Sequence, residues 1–100
     1  MVGVNYIKFE EVMKEIEELS KRKNHDYGCD SLTRFGNFGI LTIMLQKCDR
    51  LKAFYDNNGK MKVADEKLED TLKDIINYAM YMILQERKQL VDEKPEPYKY

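Results

Sequence analysis

Phe9, Val12, Met13, Ile16 and Leu19 recur in steps of three and four residues, with Glu10, Glu11, Lys14, Glu15, Glu17 and Glu18 between them. That rhythm predicts an amphipathic helix from about Tyr6 to Lys23. Asn5 stands before it as a candidate N-cap, and Lys21, Arg22 and Lys23 suit the negative end of the helix dipole. The next stretch, Asn24 to Asp30, is polar and reads as a loop turning at Gly28, after which Asp30 or Ser31 can cap a second element. Gly36 and Gly39 sit in its first turns, and each glycine costs a helix about 1 kcal/mol relative to alanine. Either the helix starts later or something packs closely there. From Ile40 to about Tyr55 the pattern is strongly helical, with Ile40, Met44, Leu51 and Phe54 on one side. Asp56-Asn57-Asn58-Gly59 is a stop signal with turn chemistry.

The third helix is the longest, from about Asp65 to Leu90. Leu68, Leu72, Ile75, Ile76, Ala79 and Ile83 form its expected core stripe. Beyond Ile75, however, Tyr78, Met80, Tyr81, Met82 and Leu84 make it apolar or aromatic on every side. Such a helix must be covered on every side, either between the other two helices or, as the better reading, across the interface of a homo-oligomer. No strand is predicted. The expected architecture is all-α: a compact bundle of about three long helices, completed by oligomerisation, in a single domain spanning 1–91. Pro95 and Pro97 mark an extended or flexible tail at 92–100.

Composition narrows the function classes. Seventeen basic residues against eighteen acidic ones leave a net charge of −1, which argues against a charge-driven binder of extended nucleic acid or membranes. No apolar run approaches the roughly 20 residues of a membrane span, and no segment resembles a signal peptide. A cytoplasmic location with Cys29 and Cys48 as free thiols is the expectation. One histidine, His25, and two cysteines give no zinc constellation.

Three groups of residues suggest chemistry. Glu66, Asp70 and Asp74 follow one another at four-residue spacing, and Asn77 and Tyr81 extend the line, all within roughly an 80° sector. Like charges so spaced repel, unless Mg²⁺ or basic side chains from another helix compensate. The plain alternative is a solvated face, since the sector lies almost opposite the expected core stripe, although a solvated face has no need of a tyrosine. Second, Lys47-Cys48-Asp49-Arg50 interrupts the apolar second helix. Lys47 and Arg50 share a side, where they either pair with the acidic line or hold phosphate oxygens. Third, Lys21-Arg22-Lys23-Asn24-His25-Asp26-Tyr27-Gly28 offers phosphate contacts and an aromatic platform, or is ordinary C-terminal capping.

Taken together, His25-Asp26-Tyr27-Gly28, Phe35-Gly36-Asn37-Phe38-Gly39, Lys47-Cys48-Asp49-Arg50-Leu51 and Asp70-Thr71-Leu72…Asp74-Ile75…Asn77-Tyr78-Ala79 resemble the small phage-associated family called nucleotide modification associated domain, type one. The resemblance covers about residues 20 to 85 and implies a role in nucleotide chemistry. The helical plan is also distantly similar to the all-α nucleotide pyrophosphatases of the MazG and dimeric dUTPase type, which hold Mg²⁺ with two carboxylate pairs. Here Glu66, Asp70 and Asp74 offer a counterpart to the second pair, while Lys47 and Arg50 stand where the first is expected. Two expectations follow. In the favoured one, a phage-type protein captures a phosphorylated nucleotide, linear or cyclic, and needs no cofactor. Lys23, Lys47 and Arg50 hold phosphate, Tyr27 or Tyr78 stacks on the base, and Asp26 or Asn77 reads its polar edge. Such a protein would sequester a host immune signal without hydrolysing it. In the alternative, an enzyme cleaves nucleoside triphosphates with Mg²⁺ bound by Glu66, Asp70 and Asp74.

Overall fold

The computed structural model describes residues 2–27, 34–58 and 68–90. They form three helices: α1 (Tyr6–Tyr27), α2 (Gly36–Asp56) and α3 (Leu68–Glu86). No strand occurs among the described residues. The all-α expectation therefore holds, as do several of the local signals. The side chain of Asn5 accepts the backbone N–H of Lys8 at 3.2 Å, capping α1. At the other end of α2, Asn58 takes the left-handed conformation (φ 55°), which asparagine tolerates better than most residues.

The helix boundaries shift from the sequence reading where local chemistry permits continuation. α1 runs on through Asn24, His25 and Asp26 to Tyr27, because nothing before Gly28 breaks a helix. α2 begins at Gly36 instead of near Ile40. Gly36 supplies a positive φ of 59° at the entry. A Cβ on Gly39 would come within 2.7 Å of the Phe35 Cβ, so the ring-bearing residue folds over the first turn and the glycine makes room for it. α3 ends earlier than the predicted Leu90. Lys88 adopts φ 55°, its N–H bonds the Gln85 carbonyl at 3.0 Å, and the Gln89 N–H bonds the Leu84 carbonyl at 2.7 Å. This is the Schellman arrangement, here with lysine where glycine is usual. Asp65, the predicted start of α3, and the 92–100 tail lie outside the described residues.

α2 and α3 run antiparallel: Asn37 near the start of α2 donates to the Met82 carbonyl at 3.2 Å, and Lys47 further along reaches Asp74 at 3.1 Å. α1 rests on α3 through its second half. Ile16 is buried, Ser20 meets Tyr81, and Glu15 and Lys23 reach Lys73 and Asp74. The first half of α1 carries Phe9, Val12 and Met13 in the open.

The orientation of α3 reverses the sequence expectation. Thr71, Asn77 and Tyr81 are buried, with Asp74 and Tyr78 half-buried beside them. Leu72, Ile76 and Ile83, half of the predicted core stripe, are 43–48 % exposed, and neighbouring Met80 is 49 % exposed. Of the supposedly solvated sector, Asp74, Asn77 and Tyr81 face the interior, while Asp70 is exposed. These polar groups can turn inward because α1 and α2 bring partners for them, and a buried polar group is tolerable only with such partners.

A carboxylate held by two lysines at the junction of three helices

Asp74 is the point where all three helices meet. Its Oδ1 accepts the Lys23 ammonium of α1 at 2.8 Å, and its Oδ2 accepts the Lys47 ammonium of α2 at 3.1 Å. All three side chains are mostly shielded from solvent. Burial by itself pushes the Asp74 carboxyl up, yet the hydrogen bonds from Lys23 and then Lys47 outweigh it and hold the group below the usual carboxylate range. For Lys23, burial disfavours the charge, but the Asp74 hydrogen bond and charge prevail and raise its pKa. Asp74 and Lys23 therefore both stay ionised.

Around it lies a polar and aromatic network. The Lys23 ammonium sits 5.8 Å from the Tyr78 ring centroid, within the range of a cation–π contact. Tyr78 meets Tyr81 edge to face, with centroids 5.9 Å apart. The Asn77 amide donates to the Tyr81 hydroxyl at 3.1 Å, and that hydroxyl also hydrogen-bonds Ser20 on α1. At the rim, Lys73 bridges Glu15 at 2.9 Å and Glu69 at 3.3 Å. The Glu15 hydrogen bond and then that of Glu69 outweigh desolvation and raise the Lys73 pKa.

Of the residues singled out from sequence, Lys23, Lys47, Asp74, Asn77 and Tyr78 come together here. Arg50 is half-buried on α2 one turn beyond Lys47. Asp26 and Tyr27 fall in the last turn of α1, but their side chains lie outside the described residues, as does Glu66. Asp70 is exposed. Asp74, the more buried of the two described acids of that line, is thus engaged by ammonium groups. Among the described residues no group of three or more His, Cys, Asp or Glu side chains is placed to hold a metal ion. Cys48 is a free, exposed thiol, and no described helix is long and apolar enough to cross a membrane.

Sequence reasoning missed Ser20 as the partner of Tyr81 and Glu15 as the partner of Lys73. It also placed Lys23 at a helix end without seeing its ion pair. The signal that pointed here was the tyrosine on a supposedly solvated line.

The fold and this junction define a small all-α protein built around an internal ion-paired cluster. The chain belongs to the nucleotide modification associated domain 1 family, whose pattern matches residues 23–86. That stretch opens at Lys23 and includes Lys47, Asp74, Asn77, Tyr78 and Tyr81. Neither a curated protein nor a solved structure matches the chain significantly.

Proposed function

We propose that the protein binds a phosphorylated nucleotide at the three-helix junction and holds it intact. The observation that carries this reading is the convergence of Lys23 and Lys47, from different helices, on the single carboxylate of Asp74. Each ammonium has three donors, and Asp74 accounts for one on each lysine. A phosphate group competes with Asp74 for the same cations, and Arg50 on the Lys47 side of α2 adds a planar fork suited to its oxygens. Tyr78, next to Lys23, supplies a ring for the base, an interaction worth about 1–3 kcal/mol in nucleic-acid binders. Asp26 is the group for its polar edge, with Tyr27 as the other stacking candidate, while buried Asn77 supports the site by bonding Tyr81. The family's association with nucleotide modification agrees with this ligand class. In this reading the protein is a phage-type sequestering factor of the host cytoplasm that removes a linear or cyclic nucleotide signal without cleaving it.

The test is to mix the protein with a panel of linear and cyclic nucleotides, with and without Mg²⁺, filter the protein away, and heat it to release what it holds. A nucleotide that leaves the filtrate and returns unchanged supports the proposal. Products formed only with Mg²⁺ overturn it in favour of a pyrophosphatase. Lys47→Ala combined with Arg50→Ala is expected to weaken binding by at least about 100-fold, as loss of two charge-assisted contacts implies. Unchanged affinity would put the site elsewhere.

A further inference from the structure

The outer face of α3 carries apolar residues in a line that no described part of the chain covers. At about 100° per residue, Glu69, Leu72, Ile76, Met80, Ile83 and Arg87 fall within an arc of about 80°. The four apolar members each keep 43–49 % of their surface exposed. Arg87 continues the helical line, because its N–H bonds the Ile83 carbonyl at 3.0 Å. The stripe runs the length of the helix, and a contiguous exposed apolar strip of this kind marks an interaction surface.

Its order identifies the occupant. Glu69 and Arg87 lie equally far from position 78, as do Ile76 and Met80, and Leu72 and Ile83 nearly so. A sequence symmetric in this way complements its own reverse. We propose that a second copy of the chain packs on this face, with the two α3 helices antiparallel about a two-fold axis at position 78. Ile76 then lies against the partner's Met80, and Leu72 against the partner's Ile83. The acidic end of each stripe meets the basic end of the other, Glu69 facing the partner's Arg87. Such an interface is isologous, so every contact occurs twice. Glu69 already lies 3.3 Å from Lys73 of its own chain, and the partner's Arg87 joins that pair on its open side. The ion-paired junction is on the opposite face of α3 and stays accessible in this dimer.

Sedimentation velocity or light scattering on the full chain gives the test. A mass of twice 11.9 kDa is expected, and a monomer at concentrations up to about 100 µM overturns the proposal. Ile76→Glu is expected to give a monomer with its helical circular dichroism retained. Because that substitution risks the fold, the charged ends provide a second arm. Glu69→Arg and Arg87→Glu should each raise the dimer dissociation constant by about tenfold at low salt, since each substitution sets two like-charge pairs across the axis. The double variant should return it to within about threefold of the parent. An assembly indifferent to all of these changes uses another surface and sinks the proposal. Lys47→Ala with Arg50→Ala should leave the dimer unchanged, which keeps the outcome separate from the nucleotide reading.

Discussion

The two faces of α3 differ in a way that runs against the usual plan of a small protein. Inward it presents Thr71, Asp74, Asn77, Tyr78 and Tyr81, and outward Leu72, Ile76, Met80 and Ile83. The inner face is specific: Asp74 and Tyr81 have particular partners on α1 and α2 at hydrogen-bonding distance, and Asn77 bonds Tyr81 within α3. The outer face is generic, since any apolar surface of the right shape satisfies it. Stability drawn from the inner face is therefore brittle to single substitutions. On the outer face it depends on what covers it. An interior of this kind suits the proposed site, because it gathers ammonium groups from two different helices at one point.

The largest effect that would sharpen this contrast is expected at Asp74. Asp74→Ala leaves two lysines close together without their shared anion. Removing one member of a shielded ion pair costs up to about 3–5 kcal/mol, and partial exposure of the lysines reduces this to about 2–3 kcal/mol. Urea unfolding would read it as a lowered midpoint. The same variant should bind phosphate more tightly, because the internal competitor is gone. Weaker phosphate binding in a folded Asp74→Ala protein would break the proposed role of the lysines.

Next comes Tyr81→Phe, which removes the hydroxyl shared by Asn77 and Ser20. The stranded amide and hydroxyl should cost about 1–2 kcal/mol, or several degrees of melting temperature in a chain this size. No change in melting would show that α1 is not held through this network.

The pH dependence follows from the same cluster. The Asp74 pKa is depressed on folding, so its contribution is complete above the unfolded value near pH 4 and is lost as pH falls through the lower folded value. The Lys23 pKa is raised, so its share is complete below about pH 10.4 and disappears as pH rises through the folded value. Between these limits the cluster imposes no slope. Urea midpoints across pH should fall at both ends, and the acid limb should flatten in Asp74→Asn. An unchanged acid limb would assign it to other carboxylates.

The smallest effect belongs to the exposed first half of α1. Asn5→Ala removes its cap and should cost about 0.5 kcal/mol, the low end for such a change, since little else rests on that turn. Amide exchange should quicken at Lys8 and Phe9 and leave α3 untouched.

The three helices, the start of α1 and the end of α2 were readable from the chain because they depend on near neighbours: Asn5 before a periodic run, or the Asp56-Asn57-Asn58 stop. The continuation of α1 to Tyr27 and the entry of α2 at Gly36 were not, because polar residues and glycines are compatible with either state until packing decides. The facing of α3 was misread for a different reason. A hydrophobic stripe identifies which side prefers to leave water, not which side the rest of the same chain covers. Lys23 and Asp74 are 51 residues apart, and nothing local in the sequence links them. Of the site, Lys47, Asn77, Tyr78 and the acidic line were found by residue type and spacing. Ser20 and Glu15 were not, since a serine and a glutamate on a charged helix carry no distinguishing mark.

Among the described residues only Ile16, Ile40 and Tyr81 are apolar or aromatic and buried, together with the polar Thr71 and Asn77. This has a calorimetric consequence. Exposing apolar surface raises the heat capacity of unfolding, and exposing polar surface lowers it. A single chain of this kind should unfold with a heat-capacity increment well below about 12 cal/mol/K per residue. Its stability curve is then broad and shallow, varying little between cold and warm conditions. Covering the outer face of α3 adds the missing apolar term, and the curvature of stability with temperature becomes a direct gauge of how much of that face is hidden.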